Sequence, residues 1–243
     1  MENQYSAHYE ENQRVYFYDC DYKGRMKLSS ILRRSSEIAG ADYTIKGYGH
    51  EFLWEKDMVF LLSRVSVKIF EYPKQADSVI TKTWEGGKKG AMFLRGTEII
   101  KDDKLVVSIQ SGWVLASPNT RKIHKPSYYA FNMPQDEKRA FNALPISKIR
   151  YGELTLLGQR EVRITDLDEN GHVYNAVYSD MACDFLPKEK YDNDIDNFRI
   201  NYVSEAVLGE KIDMYAFEED NINVIVGKTG DKICFECEFV WKK

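Results

Sequence analysis

Imidazole is the side chain whose unperturbed titration falls near neutral pH, and this chain has four histidines, His8, His50, His124 and His172, to offer as bases. His172 stands apart because Asp168 and Asn170 precede it at two-residue steps and Asn175 follows. A carboxylate, an amide and an imidazole on one short turn could activate a nucleophile and bind developing negative charge together. If a helix begins there, its first backbone amides would add further donors. Asp, Asn and Gly are also ordinary turn and capping residues, so the spacing by itself also fits a turn that only starts a helix. The other histidines read as surface residues: His8 in a polar amino terminus, His50 after Gly47 and Gly49, and His124 in the basic run Arg121, Lys122, Lys125.

Four cysteines complete the reactive inventory: Cys20, Cys183, Cys234 and Cys237. Cys234 and Cys237 form a C-x-x-C, but Ile233, Phe235, Cys237, Phe239 and Trp241 alternate with more polar neighbours as in a strand with one buried face. The two thiols then point to opposite faces, which speaks against a redox pair or a zinc site. No metal or organic cofactor is expected.

The elements around the turn repeat. Tyr18 to Met26 aligns with Thr165 to Val173, with Asp19 on Asp166, Asp21 on Asp168 and Gly24 on Gly171. The first copy carries Lys23 and Arg25 where the second has Asn170 and His172. A structural turn therefore does not require asparagine and histidine, and one active site per chain is expected.

In each copy an apparent strand, Val15 to Tyr18 or Val162 to Thr165, leads through the turn into a helical stretch. The first helix is expected from about Leu28 to Lys46, with Ile31, Ile38, Ala41 and Ile45 on one face. The second is expected from about Val173 to Phe185, stopping at Pro187. Alternating segments follow both: 64–69, 79–84, 92–100 and 106–115, then 198–203, 211–217, 221–226 and 232–241. One helix followed by an antiparallel meander, twice, predicts an α+β chain in which each sheet wraps a helix. The expected organisation is a first unit over 1–126, a connecting segment over 127–150 with a short helix near Glu137 to Asn142, and a second unit over 151–243.

With 43% hydrophobic and 13% aromatic residues, the 243-residue chain can fill a substantial core. A net charge of -4 gives no electrostatic reason to expect nucleic acid. No stretch approaches the roughly 20 apolar residues of a membrane span, and the amino terminus has no apolar signal core, so the expected location is cytoplasmic.

The run from Arg163 to Asn175, with Asp168-x-Asn170-x-His172 at its centre, resembles the signature of the acyl-carrier-protein thioesterases of plant plastids and bacteria. The first half agrees through Asp19-x-Asp21-x-x-Gly24, Leu62-Ser63-Arg64, and Trp113 followed by Arg121-Lys122. The resemblance spans about Tyr9 to Val240. It implies a tandem (double) hotdog fold, hydrolysis of acyl thioesters on acyl carrier protein to free fatty acid, and catalytic roles for Asp168, Asn170 and His172. Tyr202 to Ala206 is similar to the family's segment bearing a catalytic glutamate, which places Glu205 in the site. Ala206 stands where the family often has cysteine, so the resemblance fits activated water better than a cysteine nucleophile, with Cys183 the one alternative near in sequence. Whether Glu205, Asp168 or His172 is the base is left open.

An apolar tunnel in the first half is expected to take the chain, with Trp54, Phe60, Met92, Phe93 and Trp113 as lining candidates. An acidic carrier would dock on clustered positive charge: Arg33 and Arg34, Lys88 and Lys89, or Arg121, Lys122 and Lys125. The alternatives are an acyl-CoA thioesterase and a non-catalytic hotdog protein that binds acyl thioesters. Two hotdogs in one chain would replace the dimer that single hotdogs form, and assembly into a homodimer stays open.

Overall fold

The computed structural model describes residues 5–129 and 133–242. The first four residues of the polar amino terminus, Ala130 to Asn132 of the connecting segment, and Lys243 lie outside the described residues. The first half comprises β1 (His8–Arg14), α1 (Leu28–Ile45), α2 (His50–Glu55), β2 (Val59–Ile69), β3 (Ser78–Lys89), β4 (Met92–Lys101) and β5 (Lys104–Ala116). The second comprises β6 (Thr155–Glu161), α3 (Val177–Asp184), α4 (Lys188–Tyr191), β7 (Ile195–Tyr202), β8 (Lys211–Glu219), β9 (Ile222–Thr229) and β10 (Lys232–Trp241).

The strands form one sheet in the order β1-β3-β4-β5-β2-β7-β10-β9-β8-β6. Read from either end, the succession is the same, so the internal repeat becomes a pseudo-twofold about the β2–β7 junction. There Val65 pairs with Ile200 and Val67 with Phe198 in an antiparallel ladder. These apolar residues face α1 and α3 and join Ile31, Ile109, Met181 and Phe239 in one continuous core. Each fully buried side chain of this size contributes roughly 1.5–3 kcal/mol of hydrophobic free energy. The expected α+β double hotdog, with each half-sheet wrapped around a helix, is the architecture observed.

α1 buries Leu28, Ile31, Leu32, Ser35, Ile38, Ala39, Asp42 and Tyr43, steps of three and four that trace one face. Ile45, expected on that face, is instead 55% exposed, because it sits at the helix's end. α3 is less than half the length of α1, and its start differs from expectation. Val173 is held in a bridge to Leu167, Tyr174 donates its N–H to Asp166 O, and the helix begins only at Val177. The segments expected as strands before each turn are also shifted. β1 and β6 lie earlier, and 3-10 turns at Phe17–Asp19 and Ile164–Asp166 replace them, each closed by the third residue's carboxylate accepting the preceding N–H.

The connecting segment crosses the sheet face opposite the helices. Strand alternation turns Glu98, Gln110 and Arg199 away from the core, where Glu98 accepts from Arg139, Gln110 accepts the Ile146 N–H, and Arg199 donates to Ser147 Oγ. No helix forms between Met133 and Arg150. Near the expected one, Asp136 caps a turn by accepting the Arg139 N–H, while its own N–H donates to Glu85 O of β3. Cys234 also departs from expectation. A bulge between Ile233 and Phe235 turns it inward, so Cys234 and Cys237 are both buried in the main core. All four cysteines are free. No helix among the described residues is long and apolar enough to cross a membrane.

Candidate active site

Two segments from opposite sides of the second half meet at His172. The first is the turn. Asp168 Oδ1 accepts the N–H groups of Asn170 at 2.9 Å and His172 at 3.3 Å, and the Asp168 N–H donates to His172 O at 2.8 Å. Gly171 closes it at φ 78°, a left-handed conformation that favours glycine. Below it, Asp166 is gripped by both terminal nitrogens of Arg160 at 2.8 Å, and that pairing holds its carboxyl below the ordinary range.

The second segment leaves β7. Val203 and Ser204 both donate to Cys234 O, and Ala206 is fixed twice, its O accepting the Val173 N–H and its N–H donating to Tyr178 Oη. His172 bridges Val207 in antiparallel fashion. Glu205 is thereby carried to the imidazole, with Oε2 at 3.3 Å from His172 Nε2. Arg121, from the turn after β5, places Nη1 at 3.1 and 3.0 Å from the two Glu205 oxygens.

Of the four residues expected in the site, His172 and Glu205 are in direct contact. Asp168 touches the backbone of the turn, and Asn170 is exposed, without a side-chain hydrogen bond among the described residues. The Arg121 contact was not legible: it joins residues 84 positions apart, and nothing in local spacing announces it. His8 and His124 are half-buried rather than surface residues, the first on Asp136 and the second on Asp57 O.

The first copy repeats this construction with other side chains. Asp21 Oδ1 accepts the N–H groups of Lys23 and Arg25, Gly24 sits at φ 73°, Arg25 bridges Lys74, and the Met26 N–H donates to Pro73 O. Arg25 thus occupies the place of His172 and Tyr72 that of Glu205. Arg25 is sealed in: it pairs with Asp21 and Asp194, donates to Tyr191 O and Asn193 O, and lies over the rings of Tyr72 and Tyr191.

A cavity of about 260 Å³ opens beside α1, lined by Tyr43, Leu53, Met58, Phe60, Phe93 and Trp113 among others. β7 runs antiparallel to β2 up to Asn201 opposite Arg64, and Val59 and Phe60 at the start of β2 border this cavity. Phe60, Phe93 and Trp113 line it as expected. Trp54 is half-exposed against the His50 ring, and Met92 lies by Gly112 and Ile146, under the connecting segment. The cavity wall also includes Glu85 and Arg95. They pair at 2.7 Å and belong to a buried network with Asp42 and Lys46.

Ala206 is fully buried and offers no nucleophile. Cys183 lies on α3, where burial above all, reinforced by Asp180 and Asp184, pushes its thiol well above the ordinary range. Such a thiol holds little thiolate at neutral pH. Among the described residues no group of His, Cys, Asp and Glu is placed to hold a metal ion.

Comparison with known proteins follows the same division into halves. A family model described as the acyl-ACP thioesterase N-terminal domain matches residues 6–127, and that of the acyl-ACP thioesterase C-terminal domain matches residues 155–241. A chloroplastic oleoyl-acyl carrier protein thioesterase of Coriandrum sativum is 25% identical over 71% of this chain and 52% of its own length. A second, from Arabidopsis thaliana, is 23% identical over 95% of this chain and 68% of its own. This chain therefore spans about half to two thirds of the length of those relatives. Among solved structures, an acyl-ACP thioesterase from Bacteroides thetaiotaomicron superposes with a TM-score of 0.90 at 21% identity, covering 97% of this chain and 98% of that one. The 12:0-ACP thioesterase from Umbellularia californica gives 0.78 at 14% identity, covering 98% of both chains. At these identities the superpositions establish the fold.

Proposed function

The chain belongs to the acyl-ACP thioesterase family, and from that premise we propose that it hydrolyses acyl thioesters carried on acyl carrier protein, releasing free fatty acid and the carrier's thiol. The observation that carries the reading is the 3.3 Å contact between His172 and Glu205, and a largely apolar cavity in the first half has room for an acyl chain. Simple binding of a thioester needs no base, whereas hydrolysis does.

In this reading the acyl chain enters the cavity and the thioester carbonyl rests by His172. Glu205 accepts a proton from water as its oxygen adds to the carbonyl carbon. The Asn170 amide, which has no side-chain hydrogen bond among the described residues, donates to the resulting oxyanion. Collapse breaks the carbon–sulfur bond, and protonated His172 gives the sulfur its proton. Glu205 returns the proton gained from water to His172 across their 3.3 Å contact. Asp168 acts by holding the turn. No cofactor enters the scheme.

The carrier would meet a rim where Lys122, Lys125 and Arg33 are exposed, together with Ile123, Val203, Val207 and Leu208. Arg34 is withdrawn from that role by its bonds to Gln13, Arg14 O and Asp19. We read 1–126 and 151–243 as the two hotdog units, 127–150 as the strap between them, and the enzyme as cytoplasmic. The β2–β7 junction already supplies the pairing of two hotdogs, and a homodimer is not required for it.

The test is release of free thiol from long-chain acyl-ACP and from acyl-CoA of the same chain length. Faster turnover of acyl-ACP supports the proposal. Preference for acyl-CoA would reassign the carrier, and binding of both without release would make the protein a sequestering module.

A further inference from the structure

We propose that Arg121 is a positioning residue for catalysis, which holds the Glu205 carboxylate against His172 and so makes the first half a contributor to the second half's site. The inference rests on the hydrolytic reading above and assigns a role to a residue that this reading leaves unused.

Arg121 is unusual in its backbone. It is a non-glycine residue at φ 60°, in the left-handed region that L side chains disfavour. An excursion built for the purpose keeps it there. The Arg121 N–H donates to Ser117 O, the Ser117 N–H donates to Lys122 O, and Ser117 Oγ accepts the Thr120 N–H. Ser117 Oγ and Asn119 Nδ2 both donate to Asp57 Oδ1, at 2.8 and 2.9 Å, and His124 Nε2 donates to Asp57 O. Those two side-chain donors hold the Asp57 carboxyl below the ordinary range. Asp57 is itself left-handed, at φ 55°, and precedes Met58 and Val59 of the cavity wall. One anchored loop thus links cavity, turn and guanidinium.

The pair that results contributes little to stability. Arg121 and Glu205 have side-chain exposures of 61% and 46%, and ion pairs this open are weak stabilisers. A strained backbone maintained for a weak surface pair points to function instead. A carboxylate flanked by His172 on one side and Arg121 on the other is fixed in direction, with both oxygens engaged.

Arg121→Gln removes the charge and keeps much of the bulk; Arg121→Lys keeps the charge with a single point of contact. In the first, kcat should fall roughly 10- to 100-fold, the loss expected when a charge-assisted hydrogen bond goes, with KM for a small acyl thioester within about twofold. Arg121→Lys should restore part of kcat. In a Glu205→Gln background, Arg121→Gln should change turnover by no more than about twofold, since its target is already gone. A loss of the same size in that background, or an Arg121→Gln loss that falls on KM rather than on kcat, overturns the proposal. A crystal structure of Arg121→Gln gives an answer independent of activity. A Glu205 carboxylate turned away from His172 in that variant supports the positioning role even where no thioester is hydrolysed, a result that would sink the hydrolytic reading alone, and a carboxylate still in contact with His172 sinks the positioning role.

Discussion

The turns at Asp21 and Asp168 are shaped by the same backbone hydrogen bonds and end in opposite conditions. At the first, Arg25 is 6% exposed, its guanidinium clamped between two tyrosine rings and bonded to Asp21, Asp194 and two carbonyls. At the second, His172 keeps 21% of its side chain accessible, and its partner Glu205 is nearly half-exposed. One scaffold, used twice, has become a rivet between the halves in one place and an open ionisable pair in the other. The backbone sets where these side chains stand, and the chemistry comes from which side chains stand there.

The difference can be broken first at the rivet. Arg25→Ala should destabilise the fold by about 3–5 kcal/mol, the cost of leaving buried partners of an ion pair unmatched. Urea denaturation measures it, and a loss below about 1 kcal/mol would mean that Arg25 is not holding the halves together. At the open pair the expected effect is on rate. Glu205→Gln should lower turnover by a factor on the order of 10² or more, equivalent to about 2.7 kcal/mol, with little change in the unfolding midpoint.

A smaller effect is expected at the rim. Lys122→Glu with Lys125→Glu should raise KM for acyl-ACP several-fold, reduce its dependence on salt, and scarcely alter hydrolysis of a small acyl thioester. The smallest concerns the foot of the second turn. Asp166 has its carboxyl lowered by Arg160, so its contribution to stability is fully present above the unfolded carboxylate's pKa of about 3.9 and is lost as pH falls through the lower folded value. The stability gap between the wild type and Asp166→Asn should therefore narrow below about pH 4, and a constant gap would show that the Arg160 pair is not the cause.

Much of this was legible because periodicity and repetition are local properties. Alternation marked the strands from β2 to β5 and from β7 to β10, and the aspartate and glycine spacing exposed the repeated turn. What escaped depends on partners distant in the chain. The start of α3 was misplaced because Val173 is drawn into a bridge and bonded to Ala206, which helical spacing cannot reveal. The helix expected near Glu137 gave way to a turn on Asp136 and to contacts with β3. Cys234 was turned inward by a single bulged residue, which reverses the alternation on which its outward face was read. At the site, resemblance identified Glu205 and His172, while the half-crossing Arg121 and the seal around Arg25 belong to tertiary structure alone.

His172→Arg asks whether the imidazole does the chemistry, because it writes the first turn's residue into the second, where the shared backbone geometry already accommodates arginine in the first copy. The His172→Arg protein should keep the wild-type unfolding midpoint to within a few degrees and release thiol from acyl-ACP at a rate lowered by a factor on the order of 10² or more. Near-normal release from the folded His172→Arg protein would contradict it, and would return the Asp168 turn to the purely structural part that its counterpart at Asp21 plays.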